Sequence, residues 1–260
     1  MAHADIEQAC RLLRGNSHSS NWLYENWWSG IPGRLVTEVP KAETHSPFNA
    51  RRIFSAGEQA IFSSGFQPFL LEPGEYYFVE AERVMVHRLQ QWPETSWFWM
   101  QGVENRTYPE DPQFLRFYVP TQDEDSIKFV SRLANVLDLA KVPFKLKTRL
   151  AEGEFHDQTV IWIQRKHLRV AIRAVSDSLT GSLIGPPPGS FSCNGVGITD
   201  HPSNGDSFGW KLCQSIWLSE RLAGFGSLES EFHKSGLNPE LPWSLSEFAD
   251  SNWWESLHGI

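Results

Sequence analysis

Cysteine is scarce in this 260-residue chain: Cys10, Cys193 and Cys213 are the whole set. With neither even pairing nor metal-ligand spacing, they exclude a disulfide scaffold and a cysteine zinc site, and they fit a reducing cytoplasm. No uninterrupted apolar run approaches the roughly 20 residues a membrane helix needs. The opening MAHADIEQACRLLRG lacks a basic segment followed by an apolar run, so no secretory signal is expected. Positive charge is short as well. Lys and Arg number 23 against 31 Asp and Glu, a net charge of −8, which argues against sustained nucleic-acid binding. The histidines form no His-x-x-x-His pair, and the phosphate-cradling Gly-x-x-x-x-Gly-Lys-Ser/Thr and Gly-x-Gly-x-x-Gly loops are missing. GDSFG (205–209) resembles a nucleophile elbow only superficially, because a polar loop precedes it where a buried strand is required.

Large rings, by contrast, are plentiful, with 12 Trp and 17 Phe. Rings at this density build core and also line grooves. NWLYENWW (21–28) and WFW (97–99) are the densest stretches, read either as core or as a groove for a peptide. The length suits one large domain or two small ones.

Periodicity locates the elements. Ile6, Cys10 and Leu13 mark a helix over 4–14, and Ile127, Val130, Leu133, Ala134, Leu137 and Ala140 mark one over 125–142. LRFYVPT (115–121), PFKLKTRL (143–150) and TVIWIQ (159–164) read as strands, and 75–89 is β-rich. Residues 167–177, 210–223 and 227–235 read as helices. Residues 32–74 read as irregular, with one short strand or helix in RRIFSAGEQAIFSSGF, and 183–209 reads as a long loop. The expected fold class is α+β, a central mixed or antiparallel sheet with helices packed against it. Residues 1–75 are an N-terminal helical and aromatic region, in the same domain or a lobe of its own, and 76–260 are the main domain.

PFKLKTRL places Lys145, Lys147 and Arg149 on one strand face, because side chains alternate with period two. Its bland reading is a solvated sheet face. Arg116 and Tyr118 alternate in the same way on the earlier strand, so two strands can aim Arg, Tyr and Lys at one spot. Arginine grips phosphate oxygens with a fork and lysine acts as a point charge. A lysine crowded by other cations has a lowered pKa and can take a proton as a neutral amine. A phenol can protonate a leaving oxygen. Together these parts suit elimination of phosphate from a phosphorylated side chain.

The run RFYVPT, amphipathic helix, VPFKLKTRL, DQTVIWI, then GDSFGWKLC and FHKSGLNPELPW resembles the HopA-type family of bacterial type III effectors. The likeness covers about residues 75–245 and is tightest over 114–163 and 205–243. Stand-alone members of that family accompany an aminoglycoside-phosphotransferase-like kinase in clusters for class V lanthipeptides and thioamitides. The resemblance therefore implies a phosphoserine/phosphothreonine lyase acting on a phosphorylated precursor peptide, giving dehydroalanine or dehydrobutyrine. The partners it implies are the peptide and the kinase, the compartment is the cytoplasm, and no metal, nucleotide or redox cofactor is called for. The centre also looks distantly like the phosphothreonine lyases of enteric pathogens. That likeness assigns phosphate binding to Arg116, the acid to Tyr118, where those enzymes have His, and the base to Lys147, or to Lys145 if the alignment slips. Lys145, Arg149 and Lys211 are the further phosphate-binding cations. Two family arginines are missing: one has Phe155 or His156 near its place, and the other leaves only Lys211 in SFGWKL. Two other readings stay open, a non-catalytic phosphopeptide-binding or kinase-stabilising partner and a type III effector.

Overall fold

The computed structural model describes residues 2–35, 47–48, 51–56, 59–63, 68–71, 76–80, 83–86, 97–101, 114–122, 126–149, 151–202, 206–221 and 227–257. The central sheet has six strands: β1 (Trp97–Gln101), β2 (Phe114–Val119), β3 (Phe144–Arg149), β4 (Thr159–Gln164), β5 (Phe191–Cys193) and β6 (Val196–Asp200). Its order is β5-β6-β2-β4-β3-β1, and every neighbouring pair is antiparallel. The helices are α1 (Ala2–Leu13), α2 (Ser126–Leu139), α3 (Leu168–Ser178), α4 (Phe208–Arg221) and α5 (Leu228–Lys234). The fold is α+β, as the sequence leads one to expect.

Both sheet faces are covered. On one, Leu115, Phe117 and Val119 of β2 and Ile161 and Ile163 of β4 meet Phe129, Val130, Leu133 and Leu137 of α2 and Leu168, Ile172 and Val175 of α3. Each such side chain contributes roughly 2 kcal/mol on burial. Val130, Leu133, Ala134 and Leu137 of the expected stripe are buried, whereas Ala140 is exposed just beyond the helix. There the chain turns through a left-handed Lys141 (φ 54) while Val142 N donates to Leu137 O. Pro143 follows and bars continuation.

The opposite face carries Phe114, Tyr118, Val160 and Trp162, under Ile6 and Leu13 of α1, Trp27, Trp28, and Phe208, Leu212 and Ile216 of α4. Trp28 reaches the sheet through a short helix, Ser20–Leu23, capped by Ser19, which runs into a π-helical turn at Tyr24–Trp28. Residues Gly30–Leu35 then pair with Ala151–Phe155. Trp27 and Trp28 are therefore core, and the side chains of Trp97 and Trp99 lie outside the described residues.

Two expectations are corrected. The stretch 183–209 is not one long loop, since β5 and β6 lie inside it and extend the sheet. Asn194 and Gly195, both at positive φ (50° and 79°), join them in the two-residue turn that matches strand twist. Within 32–74, the described segments Arg51–Ala56, Gln59–Ser63 and Pro68–Leu71 form a three-stranded antiparallel sheet in place of one short element. Tyr76–Glu80 and Arg83–Val86 pair as a hairpin, in keeping with a β-rich 75–89.

Candidate active site

Residues directly opposed in antiparallel strands share a face, and the register puts two rows side by side. In one, Lys145 of β3 opposes Trp162, Trp162 opposes Arg116, and Arg116 opposes Thr199. In the next, Lys147 opposes Val160, Val160 opposes Tyr118, and Tyr118 opposes Gly197. Arg116, Tyr118, Lys145 and Lys147 thus come together, as the alternation predicts. The face is not the solvated one of the bland reading. Arg116 is 5% exposed, Lys145 1% and Tyr118 3%, while Lys147 and Arg149 keep partial contact with solvent.

Placing amines in such a layer is costly and pushes them toward the neutral form. Burial takes Lys145 down to about 6. Lys147 is lowered to about 8, chiefly by burial; Asp157 opposes the shift, and the Arg116 and Arg149 charges add to it. Lys147 is thus enclosed by protein yet in touch with solvent, as a group in a cleft is, whereas the Lys145 amine is sealed.

Arg116 donates from Nε to His201 Nδ1 at 2.9 Å and from Nη2 to the Asp206 carbonyl at 2.6 Å, with its guanidinium 5.6 Å from the Trp162 ring centre. His201 is lowered to about 3 by burial first, then by Arg116 and Lys145. A ring that accepts at Nδ1 is neutral and carries its proton on Nε2.

Arg149 is built into a clasp. It meets both Asp157 oxygens at 3.0 to 3.2 Å, gives 2.7 Å to Ser29 Oγ and stacks 4.5 Å over Phe155. Ser29 donates in turn to Asp157 at 2.7 Å. The clasp ties the N-terminal turn to the sheet, and its charge reaches Lys147. Lys211 sits in the first turn of α4. Its backbone N donates to Ser207 O and its carbonyl accepts from Ser215 Oγ, which fixes this turn of the helix.

Tyr118 lies under Trp28, ring to ring at 5.5 Å and nearly perpendicular. Its hydroxyl is sealed from solvent, with the Thr199 hydroxyl and the Arg116 guanidinium as its polar neighbours. Burial raises its pKa, against downward pulls from Arg116 and the Thr199 hydroxyl. Trp28 is held by Gly209, where a Cβ would stand 2.1 Å from the indole, so the Phe-Gly of GDSFG is a seat for this ring. At the other end, Gly197 receives Pro186, Pro187 and Ser190, which leave no room for a Cβ. Tyr24 supplies a second, half-buried phenol. Its pKa is raised by burial and then by Asp157, with Ser207 pulling it down and Tyr118 and Arg149 also in reach.

His201, Trp28, Tyr24 and Ser29 are the site residues that sequence alone does not single out. The aromatic run at 21–28 is a partial signal for two of them. Nothing local marks His201.

No protein-family model matches the sequence, and no curated protein matches it. Solved structures do match the fold. One is an effector protein from Pseudomonas syringae pv. syringae strain 61, with TM-score 0.58 and 15% identity, covering 93% of this chain and 96% of that one. Another is an effector protein from Pseudomonas syringae pv. tomato strain DC3000, with TM-score 0.56 and 12% identity over the same shares. The chain has the fold of these effector proteins. Among the described residues, no helix is long and apolar enough to cross a membrane.

Proposed function

We propose that this protein is a phosphoserine/phosphothreonine lyase that eliminates phosphate from a precursor peptide in the making of a ribosomal peptide natural product. The observation that carries the reading is the sheet register that sets Lys147, partly open to solvent, on one face with Lys145, Arg116 and Tyr118, where burial lowers its pKa to about 8. An amine in that state is a general base, and buried basic groups with displaced pKa values mark functional sites. The fold shared with effector proteins agrees with the family resemblance, and it is compatible with an effector role too.

In the proposed step, neutral Lys147 takes the Cα proton. The C–H electron pair forms the Cα=Cβ bond, the Cβ–O bond breaks, and phosphate leaves with a proton from Tyr118. The products are a dehydroamino acid and inorganic phosphate, with no water consumed. Arg116 holds the phosphate, and the positive field around it resists the rise in lysine pKa that a bound dianion causes. The Tyr118 hydroxyl is sealed from solvent, so productive binding has to open access to it. The phosphopeptide is supplied by a kinase of the aminoglycoside-phosphotransferase type, with which the protein pairs.

A second reading is a phosphopeptide-binding partner without catalysis, and the sealed Tyr118 hydroxyl is the observation that favours it. Mass spectrometry of a phosphoserine peptide separates the two. Loss of ~98 Da by wild type but not by Lys147→Ala supports the lyase. Loss of ~80 Da means hydrolysis, and binding with no mass change leaves the partner role.

A further inference from the structure

We propose that His201 is a positioning residue for Arg116, holding the guanidinium in the orientation that grips the substrate phosphate. The proposal rests on the lyase reading only for the identity of the anion.

Arg116 is held from two sides by one stretch of chain. His201 Nδ1 takes its Nε–H at 2.9 Å, and the Asp206 carbonyl takes Nη2–H at 2.6 Å. The Trp162 ring lies beside both partners, 5.6 Å from the guanidinium carbon and 6.5 Å from the imidazole. A planar fork with two of its nitrogens engaged cannot turn about its long axis without breaking one of these two hydrogen bonds. His201 is itself anchored. Its backbone N donates to Phe114 O at 3.1 Å, and its ring stands edge-on to the Phe114 ring at 6.4 Å. Phe114 and Arg116 are on the same strand, so imidazole and guanidinium share one rigid support.

Chemistry selects histidine here. Nδ1 must stay an acceptor, because a protonated ring would present N–H to N–H and place a cation beside two others. Burial and the neighbouring Arg116 and Lys145 keep the ring neutral far below physiological pH. Binding energy spent on holding one donor in place lowers the ordering cost when phosphate arrives.

The alternative is that His201 merely fills space between Phe114 and Trp162. Two variants separate the roles. His201→Phe keeps the packing and removes the acceptor, whereas His201→Asn keeps an acceptor near the Nδ1 position. The measurement is the dissociation constant for a synthetic phosphoserine peptide and its unphosphorylated counterpart by titration calorimetry, with a thermal melt of each variant. We expect His201→Phe to weaken phosphopeptide binding about tenfold and leave the unphosphorylated peptide unchanged, with His201→Asn within about threefold of wild type. Equal binding by His201→Phe and wild type overturns the proposal, as does equal loss in both variants. Failure of wild type to bind the phosphopeptide overturns it together with the phosphate role of Arg116. Binding without elimination sinks only the lyase reading.

Discussion

Lys147 and Tyr118 stand in one row of the sheet, two strands apart with Val160 between them. Their backbones are therefore about 10 Å from each other, so that an extended peptide between them meets an amine on one side and a phenol on the other. The two differ in access: the lysine touches solvent, and the phenol lies under Trp28.

The base must be neutral, so kcat/KM for a phosphopeptide should rise with pH and level off above about 8. Asp157 raises the Lys147 pKa, so Asp157→Ala should move this limb to lower pH. Lys147→Ala should abolish the limb and cost at least about 1,000-fold in rate. A pH–rate profile of the three proteins decides the matter. An unmoved limb in Asp157→Ala would assign it to another group.

Gly209→Ala should destabilise the fold by about 1–3 kcal/mol, because its methyl group runs into the Trp28 indole. Trp28→Phe in the same chain should recover part of the loss, since a smaller ring vacates that volume. A double-mutant cycle in urea measures the coupling; strict additivity would contradict the contact.

Lys145 and His201 both have folded pKa values below their ordinary ones. The unfolded chain therefore binds more protons, and stability falls as pH drops, between about 10 and 6 for Lys145 and between about 6.5 and 3 for His201. While one such group protonates only on unfolding, it contributes a slope of about 1.4 kcal/mol per pH unit. Lys145→Met should raise the urea midpoint at pH 7 and flatten the slope from pH 6 to 10. An unchanged slope would mean that Lys145 stays charged in the fold.

Asp200 is wholly buried and collects four donors: Arg165 at 2.7 Å, Ser244 Oγ at 2.8 Å, Leu245 N at 2.9 Å and Trp253 Nε1 at 3.0 Å. It pins the C-terminal segment to β6. Asp200→Ala should cost about 3–5 kcal/mol by leaving a half-buried arginine and three further donors without their acceptor. Hydrogen exchange should locate the loosening in residues 237–257. Uniform exchange across the chain would refute a local role.

Much of this frame is legible in the chain because it depends on short-range periodicity. The alternation of Arg116 with Tyr118 and of Lys145 with Lys147 is enough to place each pair on one face, whatever the sheet's order. The spacing of Val130, Leu133 and Leu137 is enough for α2. Asn194-Gly195 is a hairpin signal too, but it sits among prolines and glycines, between strands of three and five residues. The strand that β6 pairs with, β2, lies about 80 residues earlier. Pairing over such a separation leaves no local pattern.

Sequence pattern therefore accounts for which basic residues share a face, since a strand repeats every two residues. It does not say which of them grips a ligand, which is clasped and which is neutral. Arg149 looks like Lys147 until Asp157 and Ser29 arrive from a turn and from the N-terminal segment. His201 has no role until the fold brings it to Arg116. The lysine pKa values follow from α1, α4 and the Trp28 turn closing over the sheet, because desolvation depends on what surrounds a charge in space.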